Sequence, residues 1–333
     1  MDDNKNWYSA LTCRKMYYII FFVKILCVGQ IVADILVQGI DSLDFNIDTQ
    51  RVNNIIIQNG GDCLNTAIAL NRLGNEIGFV GLIGNDTLGQ YLLDVLKNNH
   101  IDTAGVRITN KERTSSVIVA INKKGERAFF YYGGANDLFS FDDINSRAIE
   151  EFDIIHVGGT FLLPSFDGAG TAKLFELAHK FGKITTMDVT WDTTGRWMQV
   201  IEPCLKHLDF FMPSAGEAEK ITGETKPESM AKVLMDKGVK NVIIKMGKKG
   251  CYINACNEIF YYPAYDVPVI DTTGAGDSFV SGILTGISNG WNIRKSVAFA
   301  SAVSAFCIQE IGATNGIPSF EQVLQFMEKS QSK

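Results

Sequence analysis

Short apolar runs alternate along most of the chain with segments in which apolar residues recur every three or four positions. The runs at 25–28, 78–81, 154–157, 184–188 and 242–245 read as buried strands. The segments 65–73, 87–98, 171–181, 217–222 and 293–308 read as helices, the first ending at Gly74, which takes left-handed backbone angles without strain. Strand and helix in alternation predict an α/β fold, with a mostly parallel sheet covered by helices on both faces. Two stretches break the pattern. Residues 35–59 and 106–133 lack a helical period and carry strand-like runs at 55–57, 116–121 and 128–132, with a hairpin around Asn122-Lys123-Lys124-Gly125. They predict a small β-sheet beside the main one, acting as a lid or an oligomer surface. Residues 253–270 read as short strands and turns, including Val267-Pro268-Val269-Ile270.

With 333 residues, 46% of them hydrophobic, the chain can bury one large core or two unequal ones. A net charge of −6 argues against nucleic acid as a partner, which requires a basic face. Seven cysteines (13, 27, 63, 204, 251, 256 and 307) are scattered without a Cys-x-x-Cys, so neither a disulfide framework nor a zinc site is indicated. His156, inside an apolar run, reads as a strand residue and not as a catalyst. At the N-terminus, Arg14-Lys15 precedes an apolar stretch that resembles a secretory signal, but Lys24 interrupts it and it is too short to span a bilayer. The expectation is an extension over residues 1–22 and a cytoplasmic domain that neither enters nor binds a membrane.

The run Asp271-Thr272-Thr273-Gly274-Ala275-Gly276-Asp277 carries the most chemistry. It reads as a strand-to-helix turn, where the open N–H groups of the first helical turn can face an anion. Gly274 and Gly276 let a phosphate approach the main chain closely, and Asp277 sets a carboxylate beside it. A carboxylate that would repel phosphate suits a base that takes a proton from an attacking hydroxyl, which points to a kinase. The same residues also suit a tight turn with an N-cap. Gly84-Asn85-Asp86-Thr87-Leu88-Gly89 has P-loop glycine spacing but continues Gln90-Tyr91, and no dinucleotide fingerprint is present. A second run, Gly60-Gly61-Asp62-Cys63-Leu64-Asn65, opens a helix with paired glycines and places a polar Asn65 one turn inside it. Those residues, with Asp34 after the first strand, either bind ligand hydroxyls or form a plain turn and an exposed amide.

Together the two runs resemble the signatures of the ribokinase-like (PfkB) carbohydrate kinases, over about residues 25–325. The resemblance implies a three-layer α/β core (23–34, 60–105 and 134–330) with a β-sheet lid (35–59 and 106–133). It implies ATP-dependent phosphorylation of a hydroxymethyl group, with Asp277 as base and the N–H groups of Gly274, Ala275 and Gly276 as the anion cradle. A helix N-terminus favours an ionised carboxylate by about 0.3–1 kcal/mol, so Asp277 is expected to be deprotonated at neutral pH. Asp34, Gly60, Gly61 and Asn65 match acceptor-binding positions; Lys245, Gly247, Gly250 and Gly312 match the nucleotide side. Glu217 keeps a carboxylate that organises Mg2+ through water, while Ser214 stands where the family has Asn. Asp271 and Thr273 match positions that hold a monovalent cation, K+, in many members.

For the acceptor, Asp34, Asp62 and Asn65 suit a small polyhydroxylated ligand, a free sugar or sugar acid. The segment Asp188 to Arg196 partly resembles the Asp-x-Asn-x-Arg region of fructokinase-like members, with Thr190 in the Asn position. A nucleoside kinase of the same fold is the alternative, and a homodimer through the lid is the expected assembly. A non-catalytic sugar-binding regulator would not need Gly-Ala-Gly-Asp intact.

Overall fold

The structure, a computed structural model, describes residues 23–42 and 45–331; the extension over residues 1–22 and Cys13 lie outside them. The strands are β1 (Lys24–Gly29), β2 (Val32–Gln38), β3 (Asn54–Gly60), β4 (Glu76–Gly84), β5 (Asp102–Thr109), β6 (Ser116–Ile121) and β7 (Arg127–Tyr132). They continue with β8 (Ile154–Thr160), β9 (Ile184–Val189), β10 (Phe210–Phe211), β11 (Asn241–Lys245), β12 (Cys251–Ala255) and β13 (Glu258–Tyr262). The helices are α1 (Asp62–Arg72), α2 (Thr87–Asn98), α3 (Ala135–Leu138), α4 (Ser146–Glu151), α5 (Ala169–Lys180) and α6 (Met198–Leu205). After them come α7 (Ala215–Thr222), α8 (Pro227–Asp236), α9 (Ala275–Ser288), α10 (Ile293–Cys307) and α11 (Phe320–Gln331).

Nine strands form one sheet in the order β13-β12-β11-β10-β9-β8-β1-β4-β5, parallel from β11 to β5 and antiparallel at β12 and β13. Alternation along β1 shows why helices cover both faces. Ile25 and Cys27 enter one apolar layer with Leu64 of α1, Leu92 of α2 and Ile283 of α9. Leu26 and Val28 enter the opposite layer with Leu174 of α5, Ile201 of α6 and Leu234 of α8. Because β1 lies between β8 and β4, the chain order reverses there, and a crevice opens beyond the carboxyl ends of the strands. Asp188 and Lys245 stand at two of those ends, on β9 and β11.

The second sheet has the order β3-β2-β6-β7 and rises straight from β1 through Gln30 and Ile31. Its inward face packs Val32, Leu36, Val117 and Val119 into a small core, while Ile55, Ile57, Ile118 and Phe130 remain exposed. Two expected boundaries shift. The small sheet begins at Val32, so Asp34 belongs to it; Ile31 and Val32 are apolar in either setting and hide the departure from β1. Residues 106–109 belong to β5 of the large sheet, an edge strand whose exposed Ile108 breaks the continuous apolar run of a buried strand. The run at 267–270 forms no strand. Pro263 and Pro268 lack the N–H a ladder needs, and Ile270 and Asp271 donate instead to the Ile308 carbonyl at 2.8 and 3.2 Å. Among the described residues no helix is long and apolar enough to cross a membrane.

Helices α9 and α10 pack most closely where α9 carries glycine. A Cβ at Gly282 would lie 2.3 Å from the Ala300 Cα, a clash with main chain that no rotamer change relieves. Gly282→Val should therefore lower stability by about 1–3 kcal/mol in denaturant unfolding. An unchanged midpoint would show that α9 can move away from α10 freely.

Candidate active site

The loop entering α9 is built on a close approach. Gly274 has φ 75°, and a Cβ there would lie 2.3 Å from the Ala313 carbonyl oxygen, so only glycine fits. It is preceded by an irregular segment and not by a strand, contrary to the strand-to-helix reading. The Ala275 N–H donates to the Thr272 carbonyl at 3.2 Å, which takes one of the three expected cradle donors. The N–H groups of Gly276 and Asp277 sit in the open first turn, where no carbonyl lies one turn back. An anion there would also meet the Lys245 ammonium, which lies 3.3 Å from where a Cβ on Gly276 would be.

Around that ammonium the fold gathers carboxylates from distant parts of the chain. Lys245 Nζ lies 2.6 Å from Asp188 Oδ2. Burial alone would lower the Lys245 pKa, but Asp188, Glu217 and Asp277 outweigh it and hold the ammonium protonated. Asp277 is buried; its Oδ2 accepts from Asn65 Nδ2 at 3.0 Å, and Asn65 Oδ1 in turn accepts from Asn59 at 3.1 Å. Burial pushes the Asp277 carboxyl up to about 7 against the Asn65 hydrogen bond, with Asp188 and Glu217 raising it and Lys245 opposing them. This corrects the expectation of full ionisation at neutral pH: loss of hydration outweighs the helix N-terminus. Burial and the charge of Asp277 likewise push Asp34 up to about 7, and burial raises Asp62 well above the ordinary carboxylate range.

Asp277 divides two environments. On one side lies a cavity of about 630 Å³. Its lining includes the polar residues Asp62, Asp188, Ser214, Glu217 and Lys245 and the apolar or aromatic residues Tyr265, Val267, Val269, Ala305 and Ile308, with Gly247, Gly250 and Gly276. On the other side Asn65 links Asp277 to the small sheet. The paired glycines are required there: a Cβ on Gly60 would lie 2.1 Å from Asp34 Oδ1, and Gly61 has φ 91° at the cap of α1.

Ser214 and Glu217 form a capping box on α7, with Glu217 Oε2 accepting from the Ser214 N–H at 2.7 Å and Ser214 Oγ from the Glu217 N–H at 3.3 Å. The Ser214 hydroxyl thus accepts from its own helix, and Ser214 lines the cavity. Asp271 and Thr273 are tied together, Oδ1 accepting from the Thr273 N–H and Oγ1 at 2.9 and 2.7 Å. Gly312 donates its N–H to Asp271 Oδ2 at 2.9 Å and does not line the cavity. Arg196 is exposed and donates to Thr194 Oγ1 of its own loop at 2.9 Å. His156 is buried on β8 against Thr186, as a strand residue. The sequence reading placed Asp188 in a segment of partial resemblance but gave it no contact with Lys245, and it missed Asn59. A carboxylate closing an apolar run, at the carboxyl end of a predicted parallel strand, was the available signal for Asp188.

A raised carboxyl carries a stability signature with a definite sign. The folded-state value of about 7 lies above the unfolded one, so the stability that Asp277 contributes is full below about pH 4 and is lost as pH rises through about 7. Asp277→Asn should therefore raise the thermal midpoint relative to the parent at about pH 8 and raise it less at about pH 5. An equal shift at both values would show that Asp277 does not titrate between them.

Residues 24–319 match the family described as pfkB family carbohydrate kinase. An ATP-dependent 6-phosphofructokinase of Thermoanaerobacterium thermosaccharolyticum is 27% identical over 304 residues, covering 90% of this chain and 92% of that protein. A ribokinase of Staphylococcus aureus is 29% identical over 274 residues, covering 80% of this chain and 87% of that protein. The crystal structure of a ribokinase from Thermotoga maritima superposes with a TM-score of 0.80 at 26% identity, covering 92% of this chain and all (100%) of that one.

Proposed function

Since the chain belongs to the pfkB family of carbohydrate kinases, we propose that it transfers the γ-phosphoryl group of ATP to a primary hydroxyl of a small sugar or sugar acid. The observation that carries this reading is the position of Asp277, which lines the large cavity on one side and is hydrogen-bonded to Asn65 on the other. ATP occupies the cavity, its base against the apolar lining residues such as Tyr265 and Ile308, its phosphates toward Lys245 and the Gly276 and Asp277 amides. Gly247 leaves room along the wall, Gly250 lets the chain pass against the Tyr262 carbonyl, and Gly312 closes the loop behind Asp271. The sugar sits on the small-sheet side, with hydroxyls shared among Asp34, Asn65 and the main chain at Gly60 and Gly61.

Asp277 takes the proton of the acceptor hydroxyl as its oxygen forms the new bond to γ-phosphorus. The bond from γ-phosphorus to the bridging oxygen breaks, and ADP leaves with that electron pair. The transition state is loose, so the protein mainly aligns the partners and meets charge that spreads over the phosphoryl oxygens. Lys245 and the loop amides are placed for the second task, where each preorganised donor is worth roughly 3 kcal/mol. A carboxyl near 7 is poised for the first, because a base works best when its pKa lies close to the working pH. Glu217 is a hard oxygen donor at the cavity wall and fits Mg2+ held through water, which would supply neutralising charge to the phosphates. The small sheet, standing over the site, excludes water as a competing acceptor.

The relatives carry names of sugar or sugar-phosphate kinases and disagree on which sugar, so likeness supports the class and leaves the acceptor to experiment. An ATP-consumption screen of ketoses, aldoses, sugar acids and nucleosides at one concentration tests it. A sugar should give the highest kcat/KM; a nucleoside exceeding every sugar would overturn the acceptor assignment. With the best acceptor, Asp277→Asn should lower kcat by about 10²–10⁴ while ATP binding changes little. Near-parental turnover in that variant would remove Asp277 from the role of base.

A further inference from the structure

The surroundings of Asp271 and Thr273 do not fit the monovalent cation expected there. Both Asp271 oxygens are already served by donors: Oδ1 by Thr273, and Oδ2 by the Gly312 N–H at 2.9 Å and Arg127 Nη2 at 2.9 Å. Arg127 Nη1 also donates to Thr273 Oγ1. A metal ion at these oxygens would meet a full positive charge at contact distance, and burial of Asp271 strengthens that repulsion. The carboxylate is held down at about 2, because the hydrogen bonds from Arg127, Thr273 and Gly312 together outweigh its burial.

Arg127 arrives from the small sheet. The register pairs Ile121 with Arg127, Val119 with Phe129, Val117 with Tyr131, and Asp34 with Val117. Side chains alternate along a strand, so Arg127, Phe129 and Tyr131 share the face that carries Asp34. Gln58, paired with Asp34, lies beside the Gly312 that donates to Asp271, its Oε1 3.3 Å from where a Cβ on Gly312 would be. Arg127 thus touches the segment that leads into Gly274, and Gln58 lies beside Gly312, whose N–H holds Asp271. The next link is short: Thr272, between the two residues Arg127 holds, accepts the Ala275 N–H at 3.2 Å.

We propose that the Arg127 guanidinium takes the place of a monovalent cation at this loop, so that docking of the small sheet itself sets the geometry of the phosphate-binding turn. Arg127 touches neither the acceptor nor the transferred group, and it acts as a positioning residue. Its effect on rate rests on the kinase reading; its effect on cation response does not.

The test compares the parent, Arg127→Ala and Arg127→Lys in potassium chloride and in tetramethylammonium chloride at equal ionic strength. Thermal midpoint is read without nucleotide or acceptor, and kcat and KM are read with the best acceptor. The parent should give the same midpoint and the same kcat in both salts. Arg127→Ala should lose about tenfold in kcat in tetramethylammonium and show a lower midpoint, as expected when the partner of a buried carboxylate is removed. Potassium, or added guanidinium, should restore both, and Arg127→Lys should keep most of the parental rate. Potassium stimulation of the parent would overturn the proposal, as would an Arg127→Ala loss that potassium leaves unreversed. A protein that phosphorylates nothing fails the kinase reading, and the midpoints then decide this proposal alone.

Discussion

One ammonium makes the site possible. Asp62, Asp188, Glu217 and Asp277 line one cavity, and their mutual repulsion in a buried setting would be costly without the Lys245 charge among them. The α/β topology supplies that arrangement. Parallel strands deliver Asp188 and Lys245 to the same edge, while the helices that follow the sheet bring Glu217 and Asp277 to it from their first turns. Glu217 and Asp277 thus owe their positions to helix starts, and those starts are held by local devices: a capping box on α7 and an alanine-pressed glycine before α9.

The balance inside this cluster also decides what Asp277 can do. Burial and two neighbouring carboxylates raise it; Asn65 and Lys245 restrain it. A fully ionised carboxylate would repel an incoming phosphate, and a fully protonated one could not accept a proton. A group poised between the two states suits a reaction in which an anion must approach first and a proton must leave late. The Asn59–Asn65–Asp277 chain of hydrogen bonds then ties that poise to the small sheet, so the small sheet and the cavity are linked through a single carboxyl.

Much of this was legible in the sequence where a residue answers a local demand. Gly274 and Gly276 with Asp277, and Gly60-Gly61 with Asn65, stand out because backbone conformation and close approach restrict those positions to particular residue types. Strands buried on both faces announce themselves as apolar runs, unbroken over Ile25–Val28 of β1 and interrupted only by His156 at 154–157 of β8. Partnerships across the fold left no such trace. Lys245 and Asp188 are 57 positions apart, and Arg127 and Thr273 are 146 apart. Nothing near Arg127 distinguishes it from other charged residues of an exposed hairpin until the small sheet is folded over the loop. The ionisation of Asp277 was misjudged for the same reason. The helix start is a local feature, whereas the burial and the neighbouring carboxylates that outweigh it are tertiary.

The account stands on Asp277 acting as a base whose proton affinity is set by its surroundings. The pH dependence of kcat/KM, measured for the parent and for Asn65→Ala with the same acceptor, tests this most directly. The account predicts a rate that rises with pH through a single limb at about 7 in the parent, displaced to higher pH in Asn65→Ala because the donor that restrains the carboxyl is gone. A profile flat between about pH 5.5 and 8.5, or a limb that Asn65→Ala leaves unmoved, would contradict it.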